Sequence, residues 1–347
     1  MKTMIDPALW RDTASTLCVA GLGALMAWGL GLPAYLLTGP ALAVSLAGLF
    51  GLRMQIAPLA RDAAFIVIGI GIGATVTPET TAAMLRWPLA FVVLAVMLWA
   101  IMWACARLLR LGFGFDRDSA ILASAPGHLS FVIGLSAEAG VDALRVTLVQ
   151  AVRLLALTLI VPVIARLMGV EIPPNPLSGQ GVLGWAAFAA LAGVSLILGL
   201  GLRRARVPAA LLIGAMLVSG LGHGAGVVAG GVAPWLGATC LVALGALIGT
   251  RFSGVTFAQL GACLGAGLAV TAMATLISGA VALAVAGYLG LDPVTVLAAF
   301  APGGFETMIA LGAVLGGQAG FVAAAHVVRL MILTVLIPAM LGRRSRA

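Results

Sequence analysis

The chain has 347 residues, of which 62% are hydrophobic and only 9% charged, against roughly 25% charged and 45–50% apolar usage in soluble domains. That composition places the chain in lipid and leaves no soluble domain large enough to carry a separate activity. The net charge of +8 is spread over short arginine clusters between apolar runs, the pattern of the positive-inside rule rather than of a nucleic-acid footprint.

A bilayer span takes about 20 predominantly apolar residues. Apolar runs delimited by Pro, Gly or charge fall near 13–31, 33–51, 62–78, 87–110, 118–137, 143–168, 184–202, 207–225, 230–250, 255–288, 293–316 and 319–342. A strict count is twelve spans; Pro40 and the glycines near 222–230 leave room for short or re-entrant segments and a count of ten. Asp6 and Asp12 precede the first run and no small-residue cleavage site closes it, so a retained first helix is expected rather than a cleaved signal peptide. Cys18, Cys105, Cys240 and Cys263 lie inside apolar runs without CxxC or Cys/His spacing and read as small buried hydrophobes. The 46 glycines fit helix association in lipid, which rests on close packing of small residues.

Residues 169–181, GVEIPPNPLSGQG, form the sizeable polar linker and divide the chain nearly in half. The halves repeat. Ala125-Pro126-Gly127 matches Ala301-Pro302-Gly303 at an offset of 301 − 125 = 176, and the same register pairs Val152-Arg153-Leu154 with Val328-Arg329-Leu330, Thr158 with Thr334 and Pro162 with Pro338. Gly69 and Gly73 pair with Gly245 and Gly249 at that offset, and Pro33-Ala34 with Pro208-Ala209 at 175. The domains are thus membrane repeat 1 over residues 12–169, a linker over 170–183, and membrane repeat 2 over 184–342.

Arg53, Arg61, Arg107, Arg110 and Arg117 follow the second and fourth runs of the first half, whereas Arg203, Arg204, Arg206 and Arg251 follow the first and third of the second half. A charge pattern shifted by one helix argues for inverted repeats. Inversion needs an odd number of crossings per half, so one run in each, 33–51 and 207–225, is expected not to cross completely. The predicted fold is an all-α integral membrane protein with two inverted repeats of five to six transmembrane helices, each with a broken helix at an APG motif.

The APG segments are where chemistry concentrates. In AAFAPGGFETMIALGAVLGG, Ala298 to Gly317, Pro302 removes a backbone donor and Gly303 and Gly304 loosen the helix, so the span should break and a second half-helix begin inside the membrane. Its first turn presents free N–H groups and a positive dipole end, suited to an anion or a carboxylate. Glu306 and Thr307 sit in that turn. An ionisable side chain deep in an apolar span costs about 2.5–3.5 kcal/mol on translocon scales, which favours function for Glu306 over simple capping. The first repeat has His128 and Ser130 at the places of Gly304 and Glu306, after Pro126 and Gly127.

His326 and Arg329 lie three residues apart on one helical face, and their twins are Gln150 and Arg153. Two roles are open to the arginines. Arg329 neutralises Glu306 or binds a substrate carboxylate, or both arginines pin carbonyls of the broken helices or pair with Glu138. His223 lies in a Gly-rich turn and reads as a loop residue, and three isolated histidines without HxxxH or HExxH make no metal centre. With no phosphate loop, nucleophile elbow or carboxylate pair in the sequence, catalysis is the weaker class of explanation, and no cofactor or metal is expected.

The duplicated APG segments, the QAVRL and HVVRL helices, LPAYLLTGPALAVSLAGL near the start, and above all APGGFETMIALGAVLGGQAGFVAAAHVVRL resemble the bacterial AbrB-type membrane duplication family, over almost the whole chain. Members carry labels such as "ammonia monooxygenase" or "membrane regulator AbrB", so the resemblance also implies a regulatory role in gene expression or, less directly, an oxygenase subunit. The chain has a more distant likeness to the bile acid/sodium symporter and cation–proton antiporter superfamily, through the PGG segment and the polar turn GIGATVTPETT, Gly71 to Thr81. That likeness implies alternating access coupled to sodium or protons. The expectation is a secondary transporter of a small solute, an organic anion ahead of a cation, in the bacterial inner membrane, with the site at Pro126, Gly127, His128, Ser130, Pro302, Gly303, Gly304, Glu306, Thr307, His326 and Arg329. The expected partners are a small solute or ion, the bilayer and a second copy of the chain. No helix-turn-helix or basic soluble arm is present to touch nucleic acid directly.

Overall fold

The computed structural model describes residues 6–75, 87–127, 129–172, 177, 181–205, 207, 209–316 and 318–342. They form fourteen α-helices, and among the described residues the sole extended pairing is an isolated bridge between Val182 and Gly231. In chain order the helices are α1 (Pro7–Gly29), α2 (Tyr35–Leu49), α3 (Pro58–Gly73), α4 (Trp87–Phe113), α5 (Arg117–Ser124), α6 (Leu129–Ala139), α7 (Ala143–Leu167), α8 (Trp185–Arg204), α9 (Ala210–Gly224), α10 (Pro234–Gly249), α11 (Phe257–Leu289), α12 (Pro293–Phe300), α13 (Phe305–Val314) and α14 (Ala319–Leu341). Among the described residues six helices are long and apolar enough to cross a membrane: α4, α7, α8, α10 with its following turn, α11 and α14. The chain is a multi-pass membrane protein.

Local chemistry sets where the helices start. Asp6, Asp116, Asp142 and Asp292 cap α1, α5, α7 and α12 by accepting from first-turn N–H groups, and Thr256 and Gln259 form a capping box on α11. Proline stands in the first turn of α1, α3, α10 and α12, where its missing N–H costs nothing. Of the four cysteines, Cys105, Cys240 and Cys263 are buried as expected, but Cys18 is exposed on α1. That helix buries one stripe, Thr13, Thr16, Ala20, Gly23, Ala24 and Ala27, and Cys18 lies off it.

A few hydrogen bonds fix which helix ends lie together. The Thr13 and Thr16 hydroxyls accept from the backbone N–H groups of Ala57 and Gln55, and the Ser253 hydroxyl accepts from Met54. Arg203 meets Asp62 at 3.2 Å. One end of the bundle therefore holds the starts of α1 and α3 and the ends of α8 and α10. Arg166 donates to the Gly31 carbonyl, which puts the end of α7 at the opposite end. At about 1.5 Å per residue α7 is long enough to reach back to the first end, where Arg145 donates to the Phe113 carbonyl at the close of α4.

The same reasoning shows how the APG segments run. Arg145 stacks on Phe115, 3.7 Å from the ring centroid, so the chain enters α5 and leaves α6 at the first end. Arg117 of α5 donates to the Met340 carbonyl, placing the end of α14 there too. At the opposite end the Gln318 N–H donates to the Thr295 hydroxyl, so the start of α14 sits beside the start of α12. A methyl on Gly312 would lie 3.4 Å from Ala298 and 3.1 Å from Val322, which makes α12, α13 and α14 successively antiparallel. The interruption at residues 301–304 thus separates two helices of a hairpin, where a broken but through-going span was expected. Pro302 and two glycines let the chain double back.

Helix contacts are tightest where glycine admits a neighbouring backbone. A methyl on Gly69 would stand 2.5 Å from the Leu212 carbonyl oxygen and one on Gly73 2.5 Å from Ser219 Cβ, so α3 packs on α9. On Gly245 it would stand 2.6 Å from the Leu37 oxygen and on Gly249 2.6 Å from Val44 Cβ, so α10 packs on α2. Just before α2 and α9, Ala34 and Ala209 hold left-handed backbone, at φ 50° and 45°, a strain of about 1–3 kcal/mol at each.

Candidate functional site

The two hairpin tips meet inside the bundle. Gly127, at φ +83°, lies so close to the second tip that a methyl there would be 2.7 Å from both the Gly303 carbonyl oxygen and Arg329 Nη2. Pro126, Pro302 and Gly303 are buried and Gly304 is half-buried; Leu154 of α7 packs on Gly304. His128 lies outside the described residues, as do the side chains of Ser130 and Glu138.

Each arginine holds the end of one hairpin helix. Arg153 of α7 donates from Nη1 to the Ser124 carbonyl at 3.2 Å and from Nη2 to Ala125 at 2.7 Å. Arg329 of α14 donates from Nη1 to Ala301 at 2.7 Å and from Nη2 to Gly303 at 2.9 Å. The terminal carbonyls of a helix have no partner within it, and a cation near them also faces the negative end of the dipole. Both side chains are almost wholly buried. Arg329 therefore grips backbone and makes no ion pair with Glu306.

Gln150 adds a third grip. Pro126 has no N–H to give to the Leu122 carbonyl four residues back, and Gln150 Nε2 donates to it at 3.0 Å instead. At the matching place on α14 stands His326, fully buried, its ring edge-on to Phe305 at 6.3 Å between centroids, with neither nitrogen hydrogen-bonded. His223 lies in the last turn of α9 where a loop residue was expected, the helix running on to Gly224, and its ring nitrogens face the Ser219 carbonyl at 2.8 Å and the Gly230 carbonyl at 2.9 Å.

Glu306 and Thr307 form the first turn of α13 and line a cavity of about 330 Å³. Its other polar walls are Arg61 and Asp62 from the start of α3, Arg203 from the end of α8 and Arg251 from the turn after α10. Asp62 is shared: Arg61 donates to Oδ1 at 2.7 Å and 3.0 Å, and Arg203 to Oδ2 at 3.2 Å. Arg251 and Glu306 make no ion pair among the described residues. Thr307 is 3% exposed and its hydroxyl makes no hydrogen bond there. A carboxylate, a hydroxyl and a cluster with excess positive charge thus share one space. A second cavity, of about 880 Å³, lies at the opposite end and is lined by Ala34, Tyr35, Arg166 and Glu171, among others, and by Val314, the last residue of α13.

Arg61, Asp62, Arg203 and Arg251 were read from the sequence only as topology signals or not at all. The pair Arg61–Asp62, Arg203 and Arg251 stand beside helix termini far apart in the chain. The one local clue was Asp62, an acid near the start of the glycine-rich helix α3. Among the described residues no three His, Cys, Asp or Glu side chains come together as a metal-binding group.

Fold and cavity define an all-helical, multi-pass membrane protein with a charged cavity leading to a helix N-terminus inside the bundle. Residues 35–344 match the model of a family described as transition state regulatory protein AbrB, and the chain belongs to that family. No curated protein and no solved structure matched it.

Proposed function

We propose that this protein is a secondary carrier for a small organic anion, built as two inverted repeats, and that the cavity at Glu306 and Thr307 is its substrate site. The observation that carries the reading is that cavity: it joins an arginine-rich end of the bundle to a carboxylate and a hydroxyl at a helix start deep between the hairpin tips.

The inversion is supported by where helix ends lie. The start of α1 shares an end of the bundle with the close of α8, so helices in matching places run in opposite senses. Contacts are exchanged as a two-fold axis demands, Gly69 on Leu212 against Gly245 on Leu37. Five crossings per half, α1 to α4 with α7 and α8 to α11 with α14, make the odd number that inversion needs. The hairpins α5–α6 and α12–α13 are then the re-entrant elements, in place of the runs 33–51 and 207–225. Non-helical backbone at such depth is tolerated where protein buries it or a cavity lies beside it.

Arg61, Arg110, Arg117, Arg145, Arg203 and Arg251 gather at the end where α1 starts, and Arg166 stands at the other. By the positive-inside rule the first end is cytoplasmic, in a bacterial inner membrane, and the Glu306 cavity opens to the cytosol. The larger cavity at the far end of α13 then faces outward, and the pair supports alternating access. Glu306 is the group that answers to protons or sodium, as the distant likeness to sodium symporters and proton antiporters implies.

The family's description favours a second reading, in which the protein senses a ligand at this site and passes the signal to a cytosolic partner. Uptake of small carboxylates into proteoliposomes, at several pH values with and without sodium, separates the two. A carrier gives flux that Glu306→Gln uncouples from the ion. A sensor gives binding without flux and a partner recovered by crosslinking, and a Glu306→Gln protein matching its parent throughout removes Glu306 from the mechanism.

A further inference from the structure

Among the described residues the charged side chains around the cavity are three arginines and two carboxylates, Arg61, Arg203 and Arg251 against Asp62 and Glu306. They leave one positive charge to be met by a ligand. The two signs are also separated. Asp62 is occupied by Arg61 and Arg203, so among the described residues the cavity arginine without an ion pair is Arg251, at the helix ends that form the mouth. The floor holds Glu306 and the Thr307 hydroxyl, both without a hydrogen bond among the described residues. The Thr307 hydroxyl faces the cavity, so it is open to a hydrogen bond with a ligand that enters.

Resting on the carrier reading, we propose that the cavity selects a small hydroxylated carboxylate monoanion, its carboxylate toward Arg251 and its hydroxyl on Glu306 and Thr307. A dianion overshoots the single excess charge and meets Glu306 with a like charge at the floor. A zwitterion leaves the excess charge unmet. A plain monocarboxylate satisfies the mouth and leaves both floor groups unpaired, the situation in which a polar site rejects a ligand lacking a hydroxyl most strongly.

The experiment is calorimetric titration of the full chain, purified in detergent, with propanoate, 2-hydroxypropanoate, alanine and butanedioate. The expected result is 2-hydroxypropanoate ahead of the other three, and about tenfold or more ahead of propanoate, a loss typical of one unmet hydrogen bond. Arg251→Gln should weaken propanoate and 2-hydroxypropanoate by similar factors and keep their ratio. Glu306→Leu and Thr307→Val should each cut that ratio to about threefold or less, since each removes one floor partner. Two floor variants guard against one failing to fold. Equal binding of propanoate and 2-hydroxypropanoate, alanine or butanedioate in front, no binding of any probe, or an unchanged ratio in the floor variants overturns the proposal. Flux of carboxylates without preference for the hydroxyl overturns the ligand class and leaves the carrier, whereas the expected binding pattern without flux does the reverse.

Discussion

The two hairpins answer one problem with different residues. In both, proline ends the first helix at a tip inside the bundle, and an arginine from a later helix takes its last carbonyls, Arg153 on Ser124 and Ala125, Arg329 on Ala301 and Gly303. There the likeness stops. Gln150 serves the carbonyl orphaned by Pro126, while His326 at the matching place has no hydrogen bond among the described residues, and the second hairpin opens its next turn, with Glu306 and Thr307, to a cavity. Positions that agree between the hairpins hold backbone; positions that differ are free to carry chemistry.

The strongest way to break that comparison is to remove a grip. Arg329→Leu leaves the Ala301 and Gly303 carbonyls buried and unpartnered and should cost about 3 kcal/mol, at roughly 1–3 kcal/mol for each orphan. Arg329→Lys should recover no more than about half of it, because one ammonium does not reproduce a fork reaching two carbonyls. Thermal unfolding in detergent measures both, and a lysine variant as stable as the parent would show that the fork is not what holds the tip.

Next in size is a contrast between two tip glycines. Gly127→Ala forces a side chain into left-handed backbone and against the Gly303 oxygen and the Arg329 guanidinium, all rigidly held. It should cost about 2 kcal/mol or more. Gly303→Ala meets the Met308 side chain first, which is flexible enough to move aside, for about 1 kcal/mol. Equal losses would mean that the tips are less tightly apposed than the contact at Gly127 requires.

Outside the hairpins the halves should respond alike. Gly69→Ala and Gly245→Ala each push a methyl against a neighbouring carbonyl, 2.5 Å and 2.6 Å away. Each should lower stability by about 1–2 kcal/mol through overpacking, and the two melting curves should shift together. Unequal shifts would argue against the two-fold relation proposed between the halves.

Membrane class was legible in the sequence because it rests on a local signal, composition, and the family because it rests on words such as APG and VRL. Two things were not. Runs 118–137 and 293–316 are each long enough to read as one span, and hydropathy does not distinguish a span from a hairpin of the same length. The difference lies in contacts such as Gln318 to Thr295 across 23 positions. The cavity arginines were equally out of reach, because Arg61, Arg203 and Arg251 look like topology charges one by one and converge only when the start of α3 meets the ends of α8 and α10.

The smallest expected effect is the sharpest, because it exchanges one hairpin's residue for the other's. His326→Gln puts on α14 the side chain that α7 carries at Gln150. Pro302 gives no N–H to Ala298, as Pro126 gives none to Leu122, so the new amide has an equivalent carbonyl to serve. Stability should then stay level or rise by about 0.5–1.5 kcal/mol, the net worth of one hydrogen bond. If His326 is merely a buried ring packed on Phe305, binding and uptake should follow stability and remain at parental level. If its unpartnered nitrogens take part in the transport cycle, uptake and its pH dependence should change while the melting temperature does not. Measuring both on one variant decides whether the difference between the hairpins at this position is chemistry or packing.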